Sequence, residues 1–111
     1  MLATAFKRVA NIIKEPETTP VDISLLKNPA ERLLFDELAT VEEAVGDRLA
    51  RSDFAGALES IARLKPMIDS FFDSVLVMDK EESVRRNRLA LLTRTRGLFA
   101  RVADFRKIQT P

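Results

Sequence analysis

The chain has neither cysteine nor histidine, and it also lacks tryptophan and tyrosine. The first two absences remove thiolate nucleophiles, disulfides, imidazole bases and the usual zinc ligands together, which excludes most familiar catalytic centres. Without Trp or Tyr, the seven phenylalanines supply all the aromatic surface. Glycine is scarce, at three residues, and no Gly-rich phosphate loop, metal cluster or nucleophile paired with a base can be found along the chain. Long hydrophobic runs are missing as well. None exceeds four residues, as in Val75 to Met78, so nothing has the length of a membrane span or a signal-peptide core. The expectation is a soluble, cytoplasmic chain with no membrane partner.

What remains is helical in character. The 111 residues have room for one domain, burying roughly 65% of the unfolded surface. With 46% hydrophobic residues and 32% charged, the composition suits a folded domain and not a disordered tail. The net charge of +1 hides a strong asymmetry. Residues 85 to 111 hold eight Lys or Arg against one Asp, residues 1 to 14 hold three against none, and residues 15 to 84 hold seven against sixteen acids. Two cationic ends around an acidic middle orient an anionic partner as well as attracting it, which makes a nucleic acid the first partner to consider.

Apolar spacing predicts the elements. Leu2, Phe6, Val9 and Ile13 form one stripe of a first helix, with Lys7, Asn11 and Lys14 on another face, and Glu15 and Pro16 end it. The proline-bearing stretch from Glu15 to Pro20 reads as a loop crossing over another element. Asn28, Pro29 and Glu31 make a cap, a first-position proline and a third-position glutamate, a strong helix start. The second helix then carries Leu34, Leu38, Val41, Val45 and Leu49 inward and a largely acidic surface outward. Ser52 is expected to cap a third helix with Phe54, Leu58 and Ile61 inside, broken near Lys65 by Pro66. Met67, Ile68, Phe71, Phe72 and Val75 restart the spacing, and the register of Phe71 and Phe72 marks them as core rather than base-stacking surface.

Asp79 and Glu82 fit a second capping box, so the last helix is expected from about Lys80 to about Phe105. Its buried stripe is Val84, Leu91, Leu92, Leu98, Phe99 and Val102. The predicted fold is all-α, an antiparallel bundle of four to five helices in a single domain over residues 1–111.

The cations fall on the flanks of that last stripe. Asn87, Arg94 and Arg101 recur every seven positions on one side, and Arg85 and Arg96 lie on the other. They can be solvated, pair with the acids of the second helix, or hold phosphates. Arg88 falls within the apolar stripe, where an unpaired charge is costly, so a carboxylate partner such as Asp73 or Asp69 is expected. The candidate RNA contacts are Lys7, Arg8, Asn11 and Lys14 on the first helix and Arg85, Arg86, Asn87, Arg94, Arg96 and Arg101 on the last. The rival reading is a helical protein-interaction module that docks a partner and binds no RNA.

Three segments carry a family resemblance: Ala5 to Ile12, Leu64 to Met78 with its Lys-Pro, Phe-Phe-Asp and Val-Met elements, and Asn87 to Leu92. In this order the chain resembles the C-terminal, DALR-type anticodon-binding domain of the β subunit of bacterial glycyl-tRNA synthetases. The Asp-Ala-Leu-Arg string of the family name is absent. The resemblance implies a fragment of a longer β subunit ending at or near its native C-terminus, with Met1 an artificial start. It also implies a domain that binds glycine tRNA without catalysing anything. ATP and magnesium are then requirements of the parent ligase, none being held by this fragment, and the α subunit and the rest of the β subunit are further partners.

Overall fold

A computed structural model describes the backbone of residues 2–109 and the side chains of residues 4–104. Five α-helices follow one another: α1 Leu2–Ile12, α2 Pro29–Ala50, α3 Phe54–Ala62, α4 Lys65–Ser74 and α5 Glu82–Gln109, with one turn of 3-10 helix at Ile23–Leu25 between α1 and α2. No strand occurs among the described residues. The stripes read from the sequence meet in one core. Phe6 and Val9, the five α2 positions, Ile61, Ile68, Phe71, Leu91, Leu92, Leu98 and Val102 are all buried in it. Leu2 and Phe105, also expected as landmarks of the first and last helices, have side chains outside the described residues.

The path of the chain departs from a simple antiparallel bundle. Glu31, Glu42 and Gly46 of α2 face Arg88, Arg94 and Arg101 of α5 in the same order, so α2 and α5 run parallel. The short helices α3 and α4 pack along α2 and carry the chain back between them. Helix α1 runs the other way against α5, Phe6 meeting Phe99. Helix α5 is thus flanked by α1 and by α2. Its 28 residues, at 1.5 Å each about 42 Å, set the 46 Å long axis of the molecule.

The element ends show which local signals held. At α2 the capping box forms as expected: Asn28 accepts from Ala30 N–H at 2.8 Å, and Glu31 accepts from Asn28 N–H at 3.3 Å. The third helix is capped by Asp53, not Ser52. Asp53 accepts from Gly56 N–H at 2.9 Å, while Ser52 takes the left-handed conformation, φ 57°, and turns the chain out of α2. A side chain at position 56 would lie 2.2 Å from the Asp53 carboxylate, so Gly56 makes room for the longer capping group.

The break between α3 and α4 falls at Arg63 and Leu64, one residue ahead of the expected Lys65. Lys65 begins α4, and Pro66 sits in its first turn where its missing N–H costs no hydrogen bond. At the last helix Asp79 accepts from Glu81 N–H at 2.9 Å, and the helix begins at Glu82, two residues later than expected. It continues through Gln109, the last residue whose backbone is described and four beyond the expected end. Helix α1 ends early, at Ile12, with Ile13 buried just beyond it.

Candidate nucleic-acid interface

Positions 94 and 96 of an α-helix point about 200° apart, and this separation divides the cations of α5 between its two neighbours. On the α2 side, Arg94 grips Glu42 with two hydrogen bonds, Nε to Oε2 at 2.9 Å and Nη2 to Oε1. Its guanidinium also lies 5.5 Å from the centre of the Phe35 ring. The hydrogen bond to Glu42 raises the Arg94 pKa further above its already high ordinary value, so this charge is permanently present and locally balanced. Arg101, on the same flank, is exposed and lies over Gly46, with Nη2 3.4 Å from where a side chain at Gly46 would begin.

Arg88 enters the core, as its place in the apolar stripe requires, but its partners are not Asp73 or Asp69. Nη2 donates to Glu31 at 3.0 Å, and Nη1 donates to the Leu76 carbonyl at 2.5 Å and to Asp79 at 3.5 Å. The chain leaves α4 at Ser74 and passes Leu76 over the start of α5, which brings Leu76 and Asp79, and not the α4 acids, to this arginine. Asp69 instead accepts from Lys65 one turn earlier at 2.7 Å. That bond lowers the Asp69 pKa and raises that of Lys65.

The first turns of α5 hold the loop that follows α1. Asn87 is buried, and its side chain reads both backbone groups of Asp22: Oδ1 accepts from the N–H at 2.6 Å and Nδ2 donates to the carbonyl at 3.1 Å. Thr93 accepts from Glu17 N–H at 3.1 Å. The element crossed by the loop is therefore α5 itself. Arg86 lies 3.7 Å from Glu17 and 3.8 Å from Glu82, and Arg85 donates to the Asp79 carbonyl at 3.1 Å. The Glu17 pKa is lowered, first by its hydrogen bond to the Thr19 hydroxyl and, more weakly, by the charge of Arg86.

The α1 side of α5 differs. Lys7, Asn11 and Lys14 are exposed. Among the described residues, Lys7, Lys14 and Arg96 form no ion pair within 4.0 Å. Lys7 and Arg96 border one cleft of about 280 Å³ whose other walls are Phe6, Ala10 and Phe99. The two phenyl rings there are stacked, centroids 4.2 Å apart and planes inclined by 17°. Further along, Lys14, Arg85 and Arg86 share a second, more polar depression with Glu15, Glu17 and Glu82. Arg8 turns toward α4, its guanidinium 4.4 Å above the Phe72 ring, so Phe72 packs as expected and carries a cation on its outer face.

Folding thus gathers Lys7, Lys14, Arg85, Arg86 and Arg96 along the α1–α5 seam, with Asn11 exposed on α1. It sends Arg94 and Arg101 to the opposite flank, Arg8 toward α4, and Asn87 into the loop anchor. The Phe6–Phe99 stack and the loop anchor Thr93 were missed from the sequence, and Asn87, read there as an RNA contact, is bound to the backbone of Asp22. Phe6 and Phe99 both lie on apolar stripes, but only the antiparallel packing of α1 on α5 pairs them. Among the described residues there is no group of three or more carboxylates able to hold a metal ion, and no helix is long and apolar enough to cross a membrane.

The class defined by this fold is an all-α bundle built on one long basic helix. The chain belongs to the DALR anticodon binding domain family, which matches residues 2–111. It is 46% identical over 107 residues to the glycine-tRNA ligase beta subunit of Geotalea daltonii, covering 96% of this chain and 16% of that protein. Against the glycine-tRNA ligase beta subunit of Geobacter sp. strain M21 the identity is 49% over 107 residues, with the same coverage. For Anaeromyxobacter dehalogenans it is 48% over 111 residues, covering 97% of this chain and 16% of the relative. The chain therefore spans about one sixth of the length of these relatives.

Proposed function

We propose that this chain is the anticodon-binding domain of a glycine-tRNA ligase beta subunit, a single domain over residues 1–111 that holds the anticodon stem-loop of glycine tRNA for aminoacylation elsewhere in the holoenzyme. Family membership and the relatives above support the reading. The observation that carries it in the structure is the cluster of cations along the α1 seam: Lys7, Lys14 and Arg96 have no carboxylate partner among the described residues, Arg86 there being paired with Glu17 and Glu82, whereas toward α2 Arg94 and Arg88 are bound to Glu42 and Glu31 and Arg101 is left without an ion pair among the described residues. Charges left without carboxylates on one face are the ones available to phosphates. The seam cations hold the backbone of the stem, and the unpaired anticodon bases are read as single strand. The fragment binds and orients; ATP, magnesium and bond formation belong to the remainder of the enzyme, with the alpha subunit and the rest of the beta subunit as its protein partners.

Fluorescence anisotropy with the glycine anticodon stem-loop, and with a loop of mismatched anticodon, tests this. Neutralising about four phosphates gives a slope of log affinity on log salt near −3, with the mismatched loop binding more weakly. Equal affinity for both loops would reduce the domain to a generic basic surface. Failure to bind either would favour the protein-interaction reading, for which exposed Leu76 and Met78 in the link before α5 offer an apolar contact.

A further inference from the structure

We infer that the cleft between α1 and α5 is a nucleotide anchor: one unpaired base lies against Phe99, its phosphate is held by Lys7 and Arg96, and the site does not discriminate which base it takes. This rests on the anticodon-binding reading and adds to it a place and a mode. Three observations converge. The Phe6–Phe99 stack is close to parallel, and Phe6 is buried while Phe99 keeps part of its ring in solvent. A flat ring laid on the outer face of Phe99 would extend an aromatic column already begun. The cations are one ammonium and one guanidinium, neither paired with a carboxylate among the described residues, both lining the same otherwise apolar cleft. An apolar flat body with an anionic attachment is the chemistry of a nucleotide.

The absence of discrimination follows from the lining. Phe6, Ala10 and Phe99 offer no hydrogen-bonding side chain, and the backbone on both sides is helical, with its N–H groups committed within the helices, so that only the carbonyl of Ala10, in the last turn of α1, is left as an acceptor. Stacking on an aromatic ring accepts any base, because every base has a π face. The same helical walls offer no free strand edge to an extended peptide, which argues for RNA over an acidic protein segment.

The test uses the 111-residue chain and anticodon stem-loops carrying 2-aminopurine at one loop position at a time. One position is expected to lose fluorescence on binding. An abasic nucleotide at that position weakens binding roughly 5- to 150-fold, whereas exchanging the base there changes affinity by less than about 3-fold. Phe99→Leu should cost a similar factor and abolish the quenching. Because Phe99 also packs on the core, Ala10→Gln serves as the second variant: position 10 is exposed, so the longer side chain fills the cleft without disturbing packing, and it should reproduce the loss with unchanged circular dichroism. Stem-loop binding with full affinity and quenching in both variants would overturn the inference and leave the anticodon-binding reading intact. A strong preference for one base at the quenched position would overturn the lack of discrimination. If the wild-type chain ignores every stem-loop but takes up an acidic helical peptide that Ala10→Gln releases, both readings fail and the cleft belongs to a protein partner.

Discussion

Arg88 of α5 and Glu31 of α2 form an ion pair at 3.0 Å in the core, with Glu31 wholly buried. Glu31 serves two elements at once, since the oxygen that receives Arg88 also completes the α2 capping box. Its other oxygen and Arg88 Nε are buried and make no hydrogen bond among the described residues, so the pair locks the parallel α2–α5 arrangement at appreciable desolvation cost. Arg88→Ala should destabilise the fold by about 3–5 kcal/mol, because it leaves a buried carboxylate unpaired. Arg88→Met combined with Glu31→Gln should regain most of that loss, the amide keeping the capping bond without the charge. Urea denaturation of the single and double variants measures both, and a double variant no better than Arg88→Ala would refute the argument.

Asn87 is the clamp on the loop between α1 and α2. Asn87→Leu preserves its size and removes both hydrogen bonds to Asp22, at a cost of about 1–2 kcal/mol. Amide hydrogen exchange at Asp22 and Glu17 should accelerate more than exchange in the middle of α2. Uniform acceleration would mean that the residue acts on global stability alone.

The two flanks of α5 should separate binding from stability. Arg96→Glu is expected to weaken stem-loop binding at least about tenfold and to lower the salt slope by about one, the signature of a lost phosphate contact. Arg94→Gln should leave affinity within about threefold. Its effect falls on stability, up to about 1 kcal/mol for a partly exposed pair. The reverse ranking would place the RNA on the α2 flank.

Gly97 lies on the exposed side of α5, where an added Cβ meets nothing within 4 Å. Gly97→Ala should therefore stabilise the protein by up to about 1 kcal/mol, through helix propensity and the smaller entropy of the unfolded chain. A higher thermal midpoint with unchanged RNA affinity is the expected result. A lower midpoint would show that the face is occupied.

Acid should loosen the loop. Folding holds the Glu17 pKa below its ordinary value, chiefly through Thr19, so the folded state favours the ionised form. That contribution is complete above the unfolded value of about 4.3 and disappears as pH falls through the lowered folded value. Stability measured from pH 6 downward should fall less steeply in Glu17→Gln than in the wild type across this acidic window. Parallel curves would show that Glu17 does not contribute.

Much of this molecule was legible in one dimension, wherever a physical cause acts over a few residues. Helix α2 is the clearest case: its proline, cap and third-position glutamate lie within one turn, and its five apolar positions repeat at the helical period, so start and buried face follow directly. Ser52 shows the limit. It and Asp53 are both good caps, and the choice between them depended on how the chain had to turn out of α2.

The sequence by itself determined the helical periods, the buried stripes, the basic last helix and the requirement that Arg88 find a carboxylate, because each follows from spacing and the cost of burying charge. Only the tertiary structure decided that α2 and α5 run parallel, that Glu31 and not an α4 acid receives Arg88, and that Arg94 and Arg96 serve different neighbours. It also set Phe6 on Phe99. These are pairings between residues some fifty to ninety positions apart, fixed by which helix faces meet when one core is closed, and no local pattern encodes which of several equivalent carboxylates or rings will arrive.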